Sequence, residues 1–164
     1  MLELRVITPD DWPLWRELRL AALADAPGAF GSALADWQGD GDREERWRGR
    51  LAIPGSYNLV SLLDGIAVGM ASGAPGEDAG AVELISMWVA PRARGQGVGD
   101  SLVGEVARWA SVRRASRLRL WVAEGNPQAA ALYLRNGFRY TGEDPQRMPD
   151  GVRLEVAMER PLAP

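Results

Sequence analysis

Val89-Ala90-Pro91-Arg92-Ala93-Arg94-Gly95-Gln96-Gly97-Val98-Gly99-Asp100 is the stretch on which the reading of this chain turns. It begins where an apolar run, Ala81–Val89, reads as a strand stopped by Pro91. It ends where a helix begins. Val98, Leu102, Val103, Val106, Trp109 and Ala110 recur at helical spacing, with Asp100, Glu105 and Arg108 on the other face. Glycines between the two let the backbone turn sharply and come close to a ligand. The first amides of a helix have no internal partner and lie at the positive end of its dipole, so this turn suits an anion such as a pyrophosphate. Arg92 and Arg94 add positive charge.

Residue types narrow the choice of anion. A Walker P-loop needs Gly-Lys-Ser/Thr after its glycines, and the basic residues here are all arginine. A dinucleotide fingerprint needs Gly-x-Gly-x-x-Gly near the first strand. Gly95, Gly97 and Gly99 are evenly spaced instead, and the next glycine is Gly104. A plain tight turn into a helix stays open on local grounds.

Downstream, Leu118–Ala123 reads as a strand, and Asn126-Pro127 opens a second amphipathic helix that Gly137 ends. Phe138–Thr141 and Val152–Met158 are the last predicted strands, joined by Glu143–Gly151 with its Pro145, Pro149 and Asp150-Gly151 breakers. Upstream, Leu2–Ile7 alternates apolar and charged residues like a half-buried strand. Thr8-Pro9-Asp10-Asp11 offers a helix start, and Trp12, Trp15, Leu18, Ala22 and Leu23 form its apolar face to about Asp25, with Pro13 clouding the first turn. A break follows at Ala26–Gly31. A second helix is expected within Ala33–Leu51, centred on Glu44–Leu51 after an interruption at Gly39–Asp42. Tyr57–Leu63 and Ile66–Ser72 flank Asp64-Gly65, a hairpin signal, and Pro75–Gly80 is a loop. The order is strand, two helices, three strands, helix, strand, helix, two strands. It predicts an α/β (α+β) sheet with helices on both faces, in one domain over residues 1–164.

Composition closes several routes. With 164 residues, 46% hydrophobic and 25% charged, the chain reads as an ordinary globular protein. It shows neither a secretory leader at Met1-Leu2-Glu3-Leu4-Arg5 nor an apolar run of membrane length, so no membrane association and a cytoplasmic location are expected. A formal net charge of -3 argues against a nucleic-acid partner. There is no Cys and no His. Disulfides, Cys-based metal sites, a cysteine acyl-enzyme and Ser-His catalysis are all removed, and acid–base work falls to Asp, Glu, Tyr or an ordered water.

Val89–Gly99 resembles the acetyl-CoA signature of the GNAT (Gcn5-related N-acetyltransferase) superfamily, Arg/Gln-x-x-Gly-x-Gly/Ala, met by Arg94, Gly97 and Gly99. Asn126, Ala130, Leu132, Tyr133, Arg135, Gly137 and Phe138 resemble that family's Asn-x-x-(x)-Ala-x-x-x-Tyr-x-x-x-Gly-Phe segment, with a shift of one at the alanine. The resemblance is specific over about residues 80–140. It implies a mixed, mostly antiparallel sheet of about seven strands and four helices, splayed between the fourth and fifth strands, and an acetyl-CoA co-substrate with no metal. Its cofactor-binding residues would be Met87, Trp88, Val89, Arg94, Gly95, Gln96, Gly97, Val98, Gly99, Asp100 and Asn126. The pantetheine arm would lie in the wedge along Met87–Val89, with the Val89 N–H near the thioester carbonyl.

By the same resemblance, Tyr133 is the candidate general acid for the departing thiolate. Read as a residue alone, it is equally a packing aromatic. Glu83 is the candidate general base, eleven residues before Arg94; alternation would put it on one strand face with Ile85 and Met87, and an exposed strand-start carboxylate is the plain alternative. Asn126 is a good N-cap in any case. Asp36, Asp40, Asp42, Glu44 and Glu45 would border the acceptor site, where an acidic rim would attract a cationic amine, with a solvated polar segment as the plainer alternative and Trp37 and Trp47 as pocket or core. Glu143–Gly151 would lie near the same site. The acceptor is thus a small-molecule or peptide amine. A protein N-terminal or ribosomal-protein acetyltransferase and a non-catalytic acyl-CoA-binding module are the alternatives. Similar proteins often form homodimers, and no self-complementary patch is readable here.

Overall fold

A computed structural model of the chain describes residues 1–30 and 32–162; of the expected break at Ala26–Gly31, Gly31 lies outside them. The chain runs β1 (Leu2–Val6), α1 (Trp12–Asp25), α2 (Glu44–Leu51), β2 (Tyr57–Leu63), β3 (Ile66–Pro75), β4 (Ala81–Val89), α3 (Val98–Val112), β5 (Arg117–Ala123), α4 (Pro127–Arg135), β6 (Arg139–Tyr140), β7 (Gln146–Arg147) and β8 (Leu154–Pro161). One sheet holds every strand in the order β1-β2-β3-β4-β5-β8-β6, with β7 also paired to β8. All pairs are antiparallel except β4 with β5. This is the mixed, mostly antiparallel architecture expected, with eight strands where about seven were predicted. The added one is the two-residue β7, too short for periodicity to show.

The local chemistry explains the elements. Thr8 precedes a 3-10 turn at Pro9–Asp11, and the Asp11 carboxylate accepts the Thr8 N–H at 2.7 Å. Pro13 falls in the first turn of α1, where its missing N–H breaks no helical bond, so it tolerates the helix it clouded in sequence. Asp64 and Gly65 both take positive φ and join β2 to β3 tightly. Leu34–Trp37 and Gly39–Gly41 form two further short 3-10 turns before α2, the latter at the interruption expected there.

Helices cover both faces. A Cβ at Gly73 would lie 2.7 Å from the Trp109 ring, so α3 rides directly on that side of β3. Its neighbour Ser72 points the opposite way, where its hydroxyl meets the Arg50 guanidinium from α2 at 3.1 Å. α1 packs against β3 and β4 on this second face, burying Trp15, Leu18 and Ala22. Trp15, Trp47, Leu102, Leu118, Phe138 and Met158 are among the fully buried core residues. Among the described residues no helix is long and apolar enough to cross a membrane.

Candidate active site

The site begins where the sheet divides. β4 and β5 pair only over Ala81↔Arg117, Val82↔Leu118 and Glu83↔Arg119. Beyond Glu83 the strands part, and the β4 edge from Leu84 to Val89 faces an opening. A bulge re-aims that edge. Met70 pairs with Trp88 and Ser72 with Ile85, so Ser86 and Met87 together oppose Ala71, and Ser86 takes φ 55°. The bulge overturns one expectation. Partners across a ladder share a face, so Trp88, not Met87, joins Glu83 and Ile85. Met87 instead reaches toward α3, its Cε 3.6 Å from where a Gly99 Cβ would sit. At the strand end, the Ala90 N–H donates to Val68 O at 2.7 Å. By alternation, the N–H and C=O of Val89 therefore point away from β3, into the opening. The C=O is taken by Arg94 Nε at 3.1 Å, and the N–H is left to the cavity.

Gly97 is the N-cap of α3 at φ 80°, and Gly95 has φ 78°. Nothing lies within 4 Å of a Cβ at either position, so conformation and not crowding demands glycine there. The first helical bond of this end runs from Ser101 N to Gly97 O. Among the described residues, none accepts from the amides of Gly95 through Asp100. Gly95, Gly97, Val98, Gly99 and Asp100 line a cavity of about 570 Å³, together with Met87, Val89, Leu132 and Tyr133.

The side chains around the turn differ from expectation. The Arg94 guanidinium is committed to the Asp25 carboxylate at 2.7 Å, tying the turn to the end of α1. The same carboxylate accepts the Trp88 indole N–H at 3.0 Å, so Trp88 contributes backbone to the cavity while its ring is buried. Gln96 is exposed and donates to Arg92 O at 3.2 Å; its side chain does not line the cavity. Asp100 is clamped by Arg135 Nε at 3.1 Å and Asn136 Nδ2 at 2.8 Å, joining α3 to α4. These contacts hold its carboxyl below the usual range, the Arg135 hydrogen bond first. Arg135 and Leu132, which sequence reasoning did not assign to the site, complete the wall.

A second cavity, of about 500 Å³, lies on the other side of the opening. Both cavities are lined by Met87, Asn126, Ala129 and Tyr133, so they meet there. Asn126 caps α4 by accepting the Ala129 N–H at 3.2 Å. Tyr133 is buried at 8% exposure and stacks edge-on against Phe138 at 5.7 Å. Its hydroxyl bonds no other described residue, and burial pushes the phenol well up, so it holds its proton at neutral pH. Glu83 lines the second cavity. Partial burial raises its carboxyl above the ordinary range; Glu77 and Glu155 add to the rise and Arg119 opposes it.

This second cavity has two charge regions. Glu77, Asp78, Glu83, Glu143 and Glu155 give it carboxylates, and Arg119 is neutralised by Glu143 at 2.7 Å and Glu159 at 2.9 Å. Arg19 also lines it and, among the described residues, carries no such partner. Its guanidinium sits 4.6 Å over the Phe30 ring, and Nη1 is buried without a hydrogen bond. Arg50 stands close by, bonded only to neutral oxygens of Asn58, Ser72 and Ser86. Burial pushes both guanidiniums down to about 10, and for Arg19 the Arg50 charge adds to the effect; both keep their charge at neutral pH.

The expected acidic rim lies elsewhere. None of Asp36, Asp40, Asp42, Glu44 and Glu45 lines either cavity. Asp42 is bound by Arg16 Nε at 2.7 Å and Trp47 Nε1 at 2.8 Å, which hold its carboxyl down at about 2. Trp37 and Trp47 pack on each other, centroids 4.5 Å apart, and Trp47 is core. The Glu143–Gly151 segment does reach the second cavity, through Glu143 and Gln146.

Comparison with known proteins matches residues 15–138 to the Acetyltransferase (GNAT) family. N-acetylaspartate synthetase of Homo sapiens is 34% identical over 104 residues, 63% of this chain; the chain spans about a third of that relative's length, 34%. A ribosomal-protein-alanine N-acetyltransferase from Brucella melitensis superposes with TM-score 0.72 at 28% identity, covering 98% of this chain and 99% of that one. PaiA N-acetyltransferase from Thermoplasma acidophilum, in complex with coenzyme A, superposes with TM-score 0.76 at 18% identity, over 98% and 99%.

Proposed function

The chain belongs to the acetyltransferase (GNAT) family, and from that premise we propose that it moves an acetyl group from acetyl-CoA directly to the primary amine of a small molecule. One observation carries this reading: two cavities meet at Met87, Asn126, Ala129 and Tyr133, and one of them ends on the free amides of Gly95–Asp100. Those amides fit a pyrophosphate, and the unpaired β4 edge fits an extended amide-bearing arm.

Acetyl-CoA supplies the thioester: an N–C bond forms at the acetyl carbonyl, the C–S bond breaks, and the amine gives up a proton as the thiolate gains one. The chain's own groups do the rest. Gly95–Asp100 and Arg135 hold the phosphates. Val89 N–H donates to the thioester oxygen as charge develops there. The acceptor enters the step as a neutral amine; Glu83 takes the proton that nitrogen sheds as the N–C bond forms, and the Tyr133 hydroxyl donates one to sulfur and regains its own from solvent.

Glu83 sets a pH dependence. A raised carboxyl is protonated, and idle as a base, to a higher pH than usual. The acid limb of kcat/KM will therefore lie above the ordinary carboxylate range. Glu83→Gln will remove that limb and lower kcat/KM about tenfold at neutral pH. An unchanged profile would remove Glu83 from the mechanism. The sign for stability is opposite to that of a paired acid. With the folded value raised, ionised Glu83 opposes folding as pH climbs past the unfolded value.

Thermal denaturation and thiol release test the whole reading. Acetyl-CoA at about 100 times Kd will raise Tm by roughly 5–10 °C, and small amines will release free thiol. Binding without thiol release from any acceptor marks a non-catalytic acyl-CoA module. Release only with peptides marks an N-terminal or ribosomal-protein acetyltransferase, the reading favoured by the Brucella structure at 28% identity.

A further inference from the structure

Arg19 and Arg50 are half-buried cations that acetyl transfer, as derived above, leaves idle. Among the described residues no carboxylate lies in ion-pair distance of either guanidinium. Every other arginine lining the two cavities is paired: Arg94 with Asp25, Arg119 with Glu143 and Glu159, Arg135 with Asp100. A guanidinium partly withdrawn from water without a counter-charge is left incomplete, and an anion would complete it. Here the incomplete group opens on the acceptor side, not on the cofactor side. Arg19 lines the second cavity and not the first, and its Nη1 has no hydrogen-bond partner. Arg50 lies behind it and holds Ser86, which also lines that cavity. Phe30 backs the guanidinium plane, and a planar carboxylate is the anion that suits a guanidinium.

We propose that the acceptor is a free amino acid, an amine whose carboxylate docks on Arg19 while its ammonium faces the acidic region that contains Glu83. This deepens the proposed function and rests on it. A simple polyamine or amino-sugar has no group for Arg19. A peptide N-terminus lacks the carboxylate beside its amine. A free amino acid brings both charges in one small molecule, as a cavity with carboxylates and an uncompensated arginine requires. The carboxylate is unchanged by the reaction; its place is in recognition, so Arg19 is a specificity-determining residue and not a catalytic one.

The experiment uses the intact protein with acetyl-CoA and three acceptor forms: the common amino acids, their decarboxylated amines and their carboxamides. The best amino acid will exceed its own amine and carboxamide at least tenfold in kcat/KM, mostly through KM. Arg19→Met will erase that ratio, Arg19→Lys will keep part of it, and the Tm of Arg19→Met will equal or exceed that of the parent, because a partly desolvated charge without a counter-charge is removed. Calorimetric binding of the same amino acid separates the two levels of the proposal. Arg19-dependent binding without thiol release sustains the carboxylate site and overturns acetyl transfer. Transfer to amines or carboxamides as fast as to amino acids, or a ratio unchanged in Arg19→Met, overturns the carboxylate site and leaves acetyl transfer standing. Should Arg19→Met fail to fold, the Arg19→Lys ratio and the carboxamide comparison decide alone.

Discussion

Replacing Tyr133 with phenylalanine will lower kcat by about 100-fold or more while KM for acetyl-CoA stays within about threefold. The hydroxyl is the one acidic group at the meeting point of the two cavities, and it has no structural bond to lose. A positioned general acid contributes roughly 100- to 10,000-fold, or about 3 kcal/mol and upward. The ring will stay where it is, since its contact with Phe138 does not involve the oxygen. Steady-state thiol release, with circular dichroism to check the fold, reads the outcome. A variant with parental turnover shows that the ring packs and the hydroxyl does nothing chemical.

The second large effect is at the turn. Gly97→Val will weaken acetyl-CoA about 10- to 100-fold, measured by calorimetry. Gly97 holds φ 80°, which a β-branched residue adopts only at a cost of about 1–3 kcal/mol. The chain will relieve that strain by turning the Gly95–Asp100 amides away from a common point. The space around the position is open, so a steric explanation is unavailable to the result. Equal affinity in Gly97→Val would show that the amides do not carry the pyrophosphate.

Much of this site was legible because its signals are local. The Gly95–Gly99 turn, the apolar stripe of α3 and the Asn126-to-Gly137 span of α4 each announce themselves within one element. The Asp64-Gly65 hairpin did likewise. The bulge did not. Its left-handed residue is Ser86, with no glycine to mark it, and it silently moved Met87 to the other face. β3 runs on to Pro75 through Gly73-Ala74 because pairing with β4 imposes it, not because the residues favour strand. The acidic rim failed for a related reason. A cluster along the chain says nothing about facing, and Asp42 spends its charge on Arg16 and Trp47. The acids that do face the second cavity come from separate parts of the fold: the turn after β3, β4, the segment after β6, and β8. Arg19 reads in sequence as a routine polar residue of α1; only the fold reveals that, among the described residues, its Nη1 finds no hydrogen-bond partner.

The brevity of the β4–β5 seam has a mechanical consequence. Three residue pairs join the β1–β4 part of the sheet to the β5–β8 part. Each part keeps long ladders of its own, so bending strain concentrates at Ala81–Glu83, as at the pin of a pair of tongs. An extended molecule bonded along the free β4 edge would lie between the jaws and stiffen the joint. Such a molecule would thereby set the gape of the cleft.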